Sequence, residues 1–339
     1  MNNAMSKVKS AFVDGFWRTF CVKWIWKKIC VDNIYGKFDK WKGWFYLSPA
    51  IVLMLIFTAY PIVNTVAMSM LENYNALAVK GGVVPPVNFN NFIGVFAEGS
   101  NFALCLWNTA LLCFLTVPIS TMLALLIAVA LHSIKPLQRM LQTVFFLPYV
   151  TNSIAIGMVF AAMFNITTGN NGVINAFLDW FGLDPVHWID RGGDWRWANI
   201  FVLVVYIVWN ALPFKILVLL GGLQGINKQY YDAAKIDGTS KARTFWRITV
   251  PLLSPMLAYV IITSFIGGFK EYSSIVGIFD ADMGPTGSEG NLDTMVGYVY
   301  TALNNKDYGR ASAASLILFG IIFVITMINL QVSKKKTHY

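Results

Sequence analysis

Three histidines, His132, His187 and His338, are the side chains best suited to hold a metal or move a proton near neutral pH, and they lie far apart in the chain. Their spacing suggests neither a metal site nor a catalytic base. Cys21, Cys30, Cys105 and Cys113 form no Cys-x-x-Cys pair and no Cys/His cluster. They read as structural thiols, with no disulfide framework and no zinc site implied. The pair Gly36-Lys37 lacks the earlier glycine and the following Ser/Thr of a phosphate-cradling P-loop, and no G-x-S-x-G elbow occurs. The chain therefore carries no evident catalytic constellation and no P-loop of its own through which to bind ATP.

The elements that hold these residues explain the pattern. Of the 339 residues, 56% are apolar and only 13% are charged, where globular chains average about 25%. Too few charges are available to cover a soluble surface. Six mainly apolar segments, 44–70, 103–131, 140–164, 197–220, 249–270 and 311–332, each reach the roughly 20 residues that a helix needs to cross a bilayer. The fold class expected is an all-α membrane protein with six transmembrane helices. No Ala-x-Ala cleavage pattern follows the first segment, so it reads as a retained span. Trp41, Trp44 and Tyr46, then Trp195 and Trp197, suit the two interfaces. Pro49, Pro61, Pro118, Pro148, Pro213 and Pro255 lie in or near the spans, as kinked helices around a cavity would require.

Charge sets the orientation. The tail 1–43, the loops 132–139 and 221–248 and the end 333–339 together hold 19 of the 26 Lys and Arg, while the three opposite loops hold 5. Short loops rich in Lys and Arg stay cytoplasmic, so both termini are expected there. The net charge of +9 is accounted for by topology, and no nucleic-acid role is called for. None of the carboxylates falls inside the six spans, and Glu271 sits at a boundary. Ion-coupled carriers place carboxylates within their spans, so this chain is not expected to harvest an ion gradient. The expected division is a basic, aromatic tail over 1–43, a six-span domain over 44–332 and a basic end over 333–339. Phe16, Trp17, Phe20, Trp24, Ile25, Trp26, Lys27 and Lys28 mix aromatics with cations, as an interfacial amphipathic helix does.

The stretch Gly225–Pro251 within and just beyond the cytoplasmic loop 221–248 is the most patterned. Residues 229–237 can form a short helix stopped by Gly238. Thr239 or Ser240 can cap a second helix through about Arg247, and Pro251 suits the first turn of the next span. Ala233 and Ala234 offer a surface with little bulk, on which another protein could seat closely. This stretch resembles the EAA motif of permease subunits of binding-protein-dependent ABC importers, through Ala233, Ala234 and Gly238, then nine residues, then Ile248 and Pro251. Asp232 stands where Glu is usual, Thr239 where Ala is frequent and Val250 where Leu is usual. Phe145-Phe146-Leu147-Pro148-Tyr149, Phe164-Asn165, Gly172-Val173-Ile174-Asn175, Trp107-Asn108-Thr109 and Tyr308-Gly309-Arg310-Ala311-Ser312-Ala313 resemble carbohydrate-uptake permeases of the larger maltose type. The resemblance covers residues 44–332 and leaves the tail outside it.

That resemblance implies the type I importer permease fold and a machine of several chains. A second, different permease would complete the pathway, two cytoplasmic ATPase subunits would bind ATP and magnesium, and an extracellular solute-binding protein would deliver a sugar. This chain would bind no cofactor and would not be an enzyme. Asp232, Ala233, Ala234, Asp237, Gly238, Ile248 and Pro251 would couple it to an ATPase. By the same resemblance, sugar contacts would fall on Tyr149, Ile207, Asn210, Ala211, Ser264, Gly267, Gly268 and Glu271. Ile207, Ala211, Gly267 and Gly268 depart from the maltose pattern in polarity or bulk, the small residues leave more room, and Lys270-Glu271 add charge near the outer end, which implies a different sugar, bulkier or charged. Gly267-Gly268 also reads as a site of close helix packing, and Lys270 as a side chain reaching for the interface. The coupling motif does not read the solute, so a permease for a non-sugar solute stays open, as does an integral-membrane enzyme.

Overall fold

The computed structural model describes residues 39–336 except 73, 75–84, 98, 135–137, 168–169, 190–195 and 285–289. The interfacial helix expected over residues 16–28, with Cys21, Cys30 and His338, lies outside the described residues. The chain divides into two units, Met1–Thr65 and Val66–Tyr339. The first holds α1 (Asp39–Met54), a π-helical turn (Leu55–Ala59) and the start of α2 (Tyr60–Met70). A proline ring clashes with the carbonyl four residues back, and a widened turn relieves that clash. The turn ends two residues before Pro61, and a second π turn, Phe245–Thr249, ends two residues before Pro251.

In the second unit, α3 (Asn90–Val95) precedes α4 (Phe102–Ser133). Then come α5 (Gln138–Val150), α6 (Ser153–Phe164), strands β1 (Ile166–Thr167) and β2 (Asn170–Asn171), α7 (Val173–Trp180) and α8 (Arg196–Gln224). The loop region follows as α9 (Lys228–Ile236), α10 (Lys241–Thr244) and, beyond the second π turn, α11 (Val250–Leu252). The last helices are α12 (Ser254–Gly268), α13 (Ser273–Phe279), α14 (Met295–Asn304) and α15 (Tyr308–Lys336). β1 and β2 form one small antiparallel ladder, the only departure from helix among the described secondary-structure elements.

Four helices among the described residues are long and apolar enough to cross a membrane: Gly43–Met70, Phe102–Ser133, Arg196–Gln224 and Tyr308–Lys334. The segments expected as single spans over 140–164 and 249–270 are instead bent pairs. Gln142–Val150 meets Ser153–Phe164 at 101°, and Lys241–Leu252 meets Ser254–Gly268 at 68°. The first bend has a local cause. Pro148 lies in the last turn of α5, which ends at Val150, and the Asn152 side chain accepts from the backbone of Ile154 and Ala155, capping a new helix at once. The count reaches six only if each bent pair is one span.

α4 is the organiser of this unit. Two of its buried hydroxyls bond back within the helix: Thr109 donates to the Cys105 carbonyl at 2.7 Å and Thr116 to the Leu112 carbonyl at 2.7 Å. One end packs Cys113 and Val117 with Phe269, Met295 and Ala313. The other end packs Ala124 and Ala128 with Leu219, Leu220 and Leu223 of α8, where small residues let the backbones approach. A third cluster joins Leu112 to Leu203, Tyr206 and Ile275.

Candidate functional site

One cavity of about 280 Å³ opens between α4, the end of α5, α8 and α12. It is lined by Tyr149, Ile207, Asn210, Ala211, Ser264, Gly267, Gly268 and Glu271, the full set named by resemblance. The volume stands just under the low end of the roughly 300–1,000 Å³ usual for ligand pockets. Tyr149 is half-exposed and stacks on Phe214, with ring centroids 6.0 Å apart and planes at 21°. Phe146 packs on Tyr149 as well, with ring centroids 5.4 Å apart and planes tilted at 35°. The Asn210 amide reaches the Ser153 hydroxyl at 3.4 Å, which also meets the Tyr206 hydroxyl at 3.0 Å. An aromatic platform beside amide and hydroxyl groups suits the flat faces and hydroxyls of a sugar ring.

The two glycines play different parts. A Cβ on Gly268 would stand 2.7 Å from the Cys113 sulfur, so Gly268 serves the close crossing of α12 on α4. A Cβ on Gly267 would meet nothing within 4 Å, so Gly267 leaves open room. Lys270 is exposed and is not part of the cavity lining.

The cavity has further walls that the resemblance did not name: Thr116, Val117 and Ser120 of α4, Phe214 and Lys215 of α8, and Thr263. Helical spacing could have found the α8 pair, since 207, 210, 211, 214 and 215 follow the i, i+3, i+4, i+7, i+8 stripe of one helix face. Lys215 is 4% exposed, and its ammonium donates to Ser120 Oγ at 2.6 Å and Thr121 Oγ1 at 3.2 Å. Among the described residues no carboxylate lies within 4.0 Å of it.

Near the start of α4 a polar network fastens the loops. Asn108 donates to the carbonyls of Asn291 and Asp293, both at 2.9 Å, and accepts from Arg196. The Met295 amide donates to Thr109 Oγ1 at 3.0 Å, and the Thr294 hydroxyl donates to the Glu271 carbonyl at 2.8 Å. Asp293 is buried there. Desolvation pushes its carboxyl up to about 6, against the opposing pull of the Thr294 amide and the Cys105 thiol. The Asn108-Thr109 pair singled out in the sequence thus ties helix α4 to the 291–295 loop.

The second candidate region is the α9–α11 loop. Asn227 caps α9 by accepting from the Gln229 amide at 2.9 Å. At the other end Asp237 is the C-cap, and Gly238 follows at φ +67°. The Gly238 amide bonds the Lys235 carbonyl at 3.1 Å and the Thr239 amide bonds the Ala234 carbonyl at 2.9 Å. These two bonds make a complete Schellman stop. Ser240, not Thr239, caps α10, accepting from the Arg243 amide at 3.4 Å. The second helix does not end near Arg247. It runs on through the π turn that holds Ile248, and Pro251 lies inside it. Pro255, not Pro251, occupies the first turn of the span helix α12.

The expectation that Ala233 and Ala234 both face outward is corrected. Ala233 is exposed, whereas Ala234 is only 5% exposed and packs inside this chain. Adjacent helical residues point about 100° apart, so one of the pair must turn inward when α9 lies on its own scaffold. Tyr231 helps to seat that face, its hydroxyl 3.3 Å from Thr249 Oγ1. The outward tip belongs to Ile236, which is 87% exposed and was not singled out in the sequence. Asp232 is about half-exposed and pairs with Lys235 at 3.5 Å and Lys228 at 4.0 Å.

Residues 113–338 match the family described as binding-protein-dependent transport system inner membrane component. The chain is 32% identical over 290 residues to the arabinooligosaccharides transport system permease protein AraP of Halalkalibacterium halodurans, covering 85% of this chain and 86% of AraP. It is 26% identical over 297 residues to the lactose transport system permease protein LacF of Rhizobium radiobacter, covering 87% and 94%. Among solved structures, a bacterial ABC transporter that imports the acidic polysaccharide alginate contains a chain with the same fold. That match has a TM-score of 0.72 at 22% identity and covers 91% of this chain and all of the other. The match runs through the whole cavity-lining set from α8 onward and through the Schellman-stopped loop, and this chain belongs to the binding-protein-dependent transport system inner membrane component family.

Proposed function

We propose that this chain is a permease subunit of an ATP-driven carbohydrate importer. A second permease would complete the pathway, two ATPase subunits would supply ATP and magnesium chemistry, and an extracellular binding protein would hand over the sugar. The names of the aligned relatives AraP and LacF support the substrate class. The observation that carries the reading is a cavity lined together by the Tyr149–Phe214 platform and by Asn210, Ser264 and Glu271. Six spans, with both termini cytoplasmic, tail 1–43, permease domain 44–332 and end 333–339, follow from the hydropathy and charge pattern. Asp232, Ala233, Asp237, Gly238, Ile248 and Pro251 would form or brace the ATPase-facing loop, with Ala234 holding it from behind and Ile236 as its outward knob. Purification through a tag on this chain, beside uptake of labelled oligosaccharides in cells, tests the reading. A complex holding ATPase subunits and carrying a saccharide is expected, and a lone chain with no saccharide uptake would reject it.

A further inference from the structure

We propose that Lys215 is a substrate-contacting residue of the cavity and that, paired across the seat with Glu271, it makes the seat select uncharged oligosaccharides over acidic ones. The inference rests on the permease reading above and concerns the substrate that this one cavity takes.

A lysine within an apolar span is costly and normally faces a partner or a polar cavity. Lys215 sits near the middle of α8, nine residues before its end at Gln224, and it lines the cavity. An ammonium has three donors. Two are used on Ser120 and Thr121, and among the described residues neither a carboxylate within 4.0 Å nor a third acceptor is present. One donor and the whole charge are left for the space that the side chain lines.

Glu271 lines the same cavity, and one oxygen of its carboxylate accepts from the Ser274 amide at 3.1 Å, leaving the other for a ligand. Its carbonyl is held by Thr294, whose neighbour Met295 is bonded to Thr109 of α4. Lys215 is bonded to Ser120, eleven residues farther along the same helix. At 1.5 Å per residue the two levels lie roughly 16 Å apart along α4. The Tyr149–Phe214 platform and Asn210, Thr116, Thr263 and Ser264 line the same cavity. A donor, an acceptor and an aromatic face lining one cavity fit the hydroxyls and flat faces of linked sugar rings.

The balance of charge picks the class. The lining holds one cation, one anion and neither arginine nor histidine. An oligouronate carries a carboxylate on every ring, so it would leave carboxylates without a cation and bring one beside Glu271. Desolvated charges without partners are strongly disfavoured. A neutral saccharide uses Lys215 as donor and Glu271 as acceptor and leaves neither end opposed.

The test uses the intact complex in cells, with labelled arabinotriose, raffinose, maltotriose and trigalacturonate as probes. Wild type should carry at least one neutral probe, and a hundredfold excess of trigalacturonate should not compete. Lys215→Met should raise KM for that neutral probe by about ten- to a hundredfold, as loss of a charged hydrogen bond does. Lys215→Gln, which keeps a donor, should fall between, and ATPase co-purification should be unchanged in both. Glu271→Gln should let trigalacturonate begin to compete. Unchanged KM in Lys215→Met, loss of assembly in both Lys215 variants, or uptake of trigalacturonate by wild type would each overturn the proposal. Uptake of none of the four probes by wild type would instead strike at the carbohydrate reading beneath it.

Discussion

Gly157 of α6 and Gly277 of α13 cross so closely that a Cβ on Gly157 would stand 2.6 Å from the Gly277 Cα. No side chain fits in that crossing, and it sets where α6 hangs from the 101° bend after α5. Neither glycine belongs to a motif recognised in the sequence.

Gly157→Val should therefore force the two helices apart. Overpacking of this kind costs about 1–3 kcal/mol. The expected outcome is a lower melting temperature of the purified complex and reduced uptake, with Gly267→Ala, which meets open space, as the tolerated comparison for stability. Equal melting temperatures for the two variants would contradict the crossing.

Gly238→Val should disrupt the loop. A left-handed backbone costs a residue bearing a Cβ about 1–2 kcal/mol, and a β-branched one resists it further. Uptake should be abolished, while Gly238→Asn, which tolerates that backbone, should keep much of it. Membrane insertion is expected to be normal in both, because the position lies outside the helices that qualify as spans. Uptake assays beside membrane fractionation check this.

Ile236→Asp and Ala234→Trp should fail in different ways. Ile236 is outward, so its replacement should reduce ATPase co-purification without changing the stability of the chain. Ala234 is inward, so a tryptophan there should unseat α9 from Thr249 and destabilise the loop, measurable as proteolysis between Gly225 and Ser240. Asp232→Asn should be milder than either, since exposed ion pairs of its kind contribute about 0–1 kcal/mol.

Asp293 predicts a pH dependence with a definite sign. Burial raises its carboxyl from 3.8 to about 6, so the folded protein binds the proton more tightly than the unfolded chain does. Stability from this group is greatest below pH 4 and falls as pH rises through about 6, by up to roughly 3 kcal/mol at about 1.4 kcal/mol per pKa unit. Asp293→Asn should flatten that part of the curve in thermal melts between pH 4 and pH 7. An unchanged slope would exclude Asp293 as its source.

Topology is testable with an impermeant thiol reagent in a background without native cysteines. Asp184→Cys should label in intact cells, and Lys241→Cys only after the cells are opened. Both positions are exposed on the chain, so access is decided by the side of the membrane. Labelling of Lys241→Cys from outside would reverse the orientation drawn from the charge bias.

What the sequence determined by itself is what depends on neighbours along the chain. Long apolar runs mark the membrane segments because each must satisfy its backbone internally and meet hydrocarbon over its length. The stop at Gly238 is legible because a Schellman cap is built from six consecutive residues, and glycine takes φ +67° there with the least strain. What only the tertiary structure decided is which face of each helix looks where. Ala233 and Ala234 are identical in the sequence and opposite in the fold. Gly267 and Gly268 separate in the same way, one against open space and one against Cys113. Lys215 belongs to no motif in the sequence, and it becomes a cavity residue only because α8 turns it toward Ser120 of α4. Rotation about a helix axis is set by packing against other helices, and those contacts join residues that the chain keeps about a hundred positions apart.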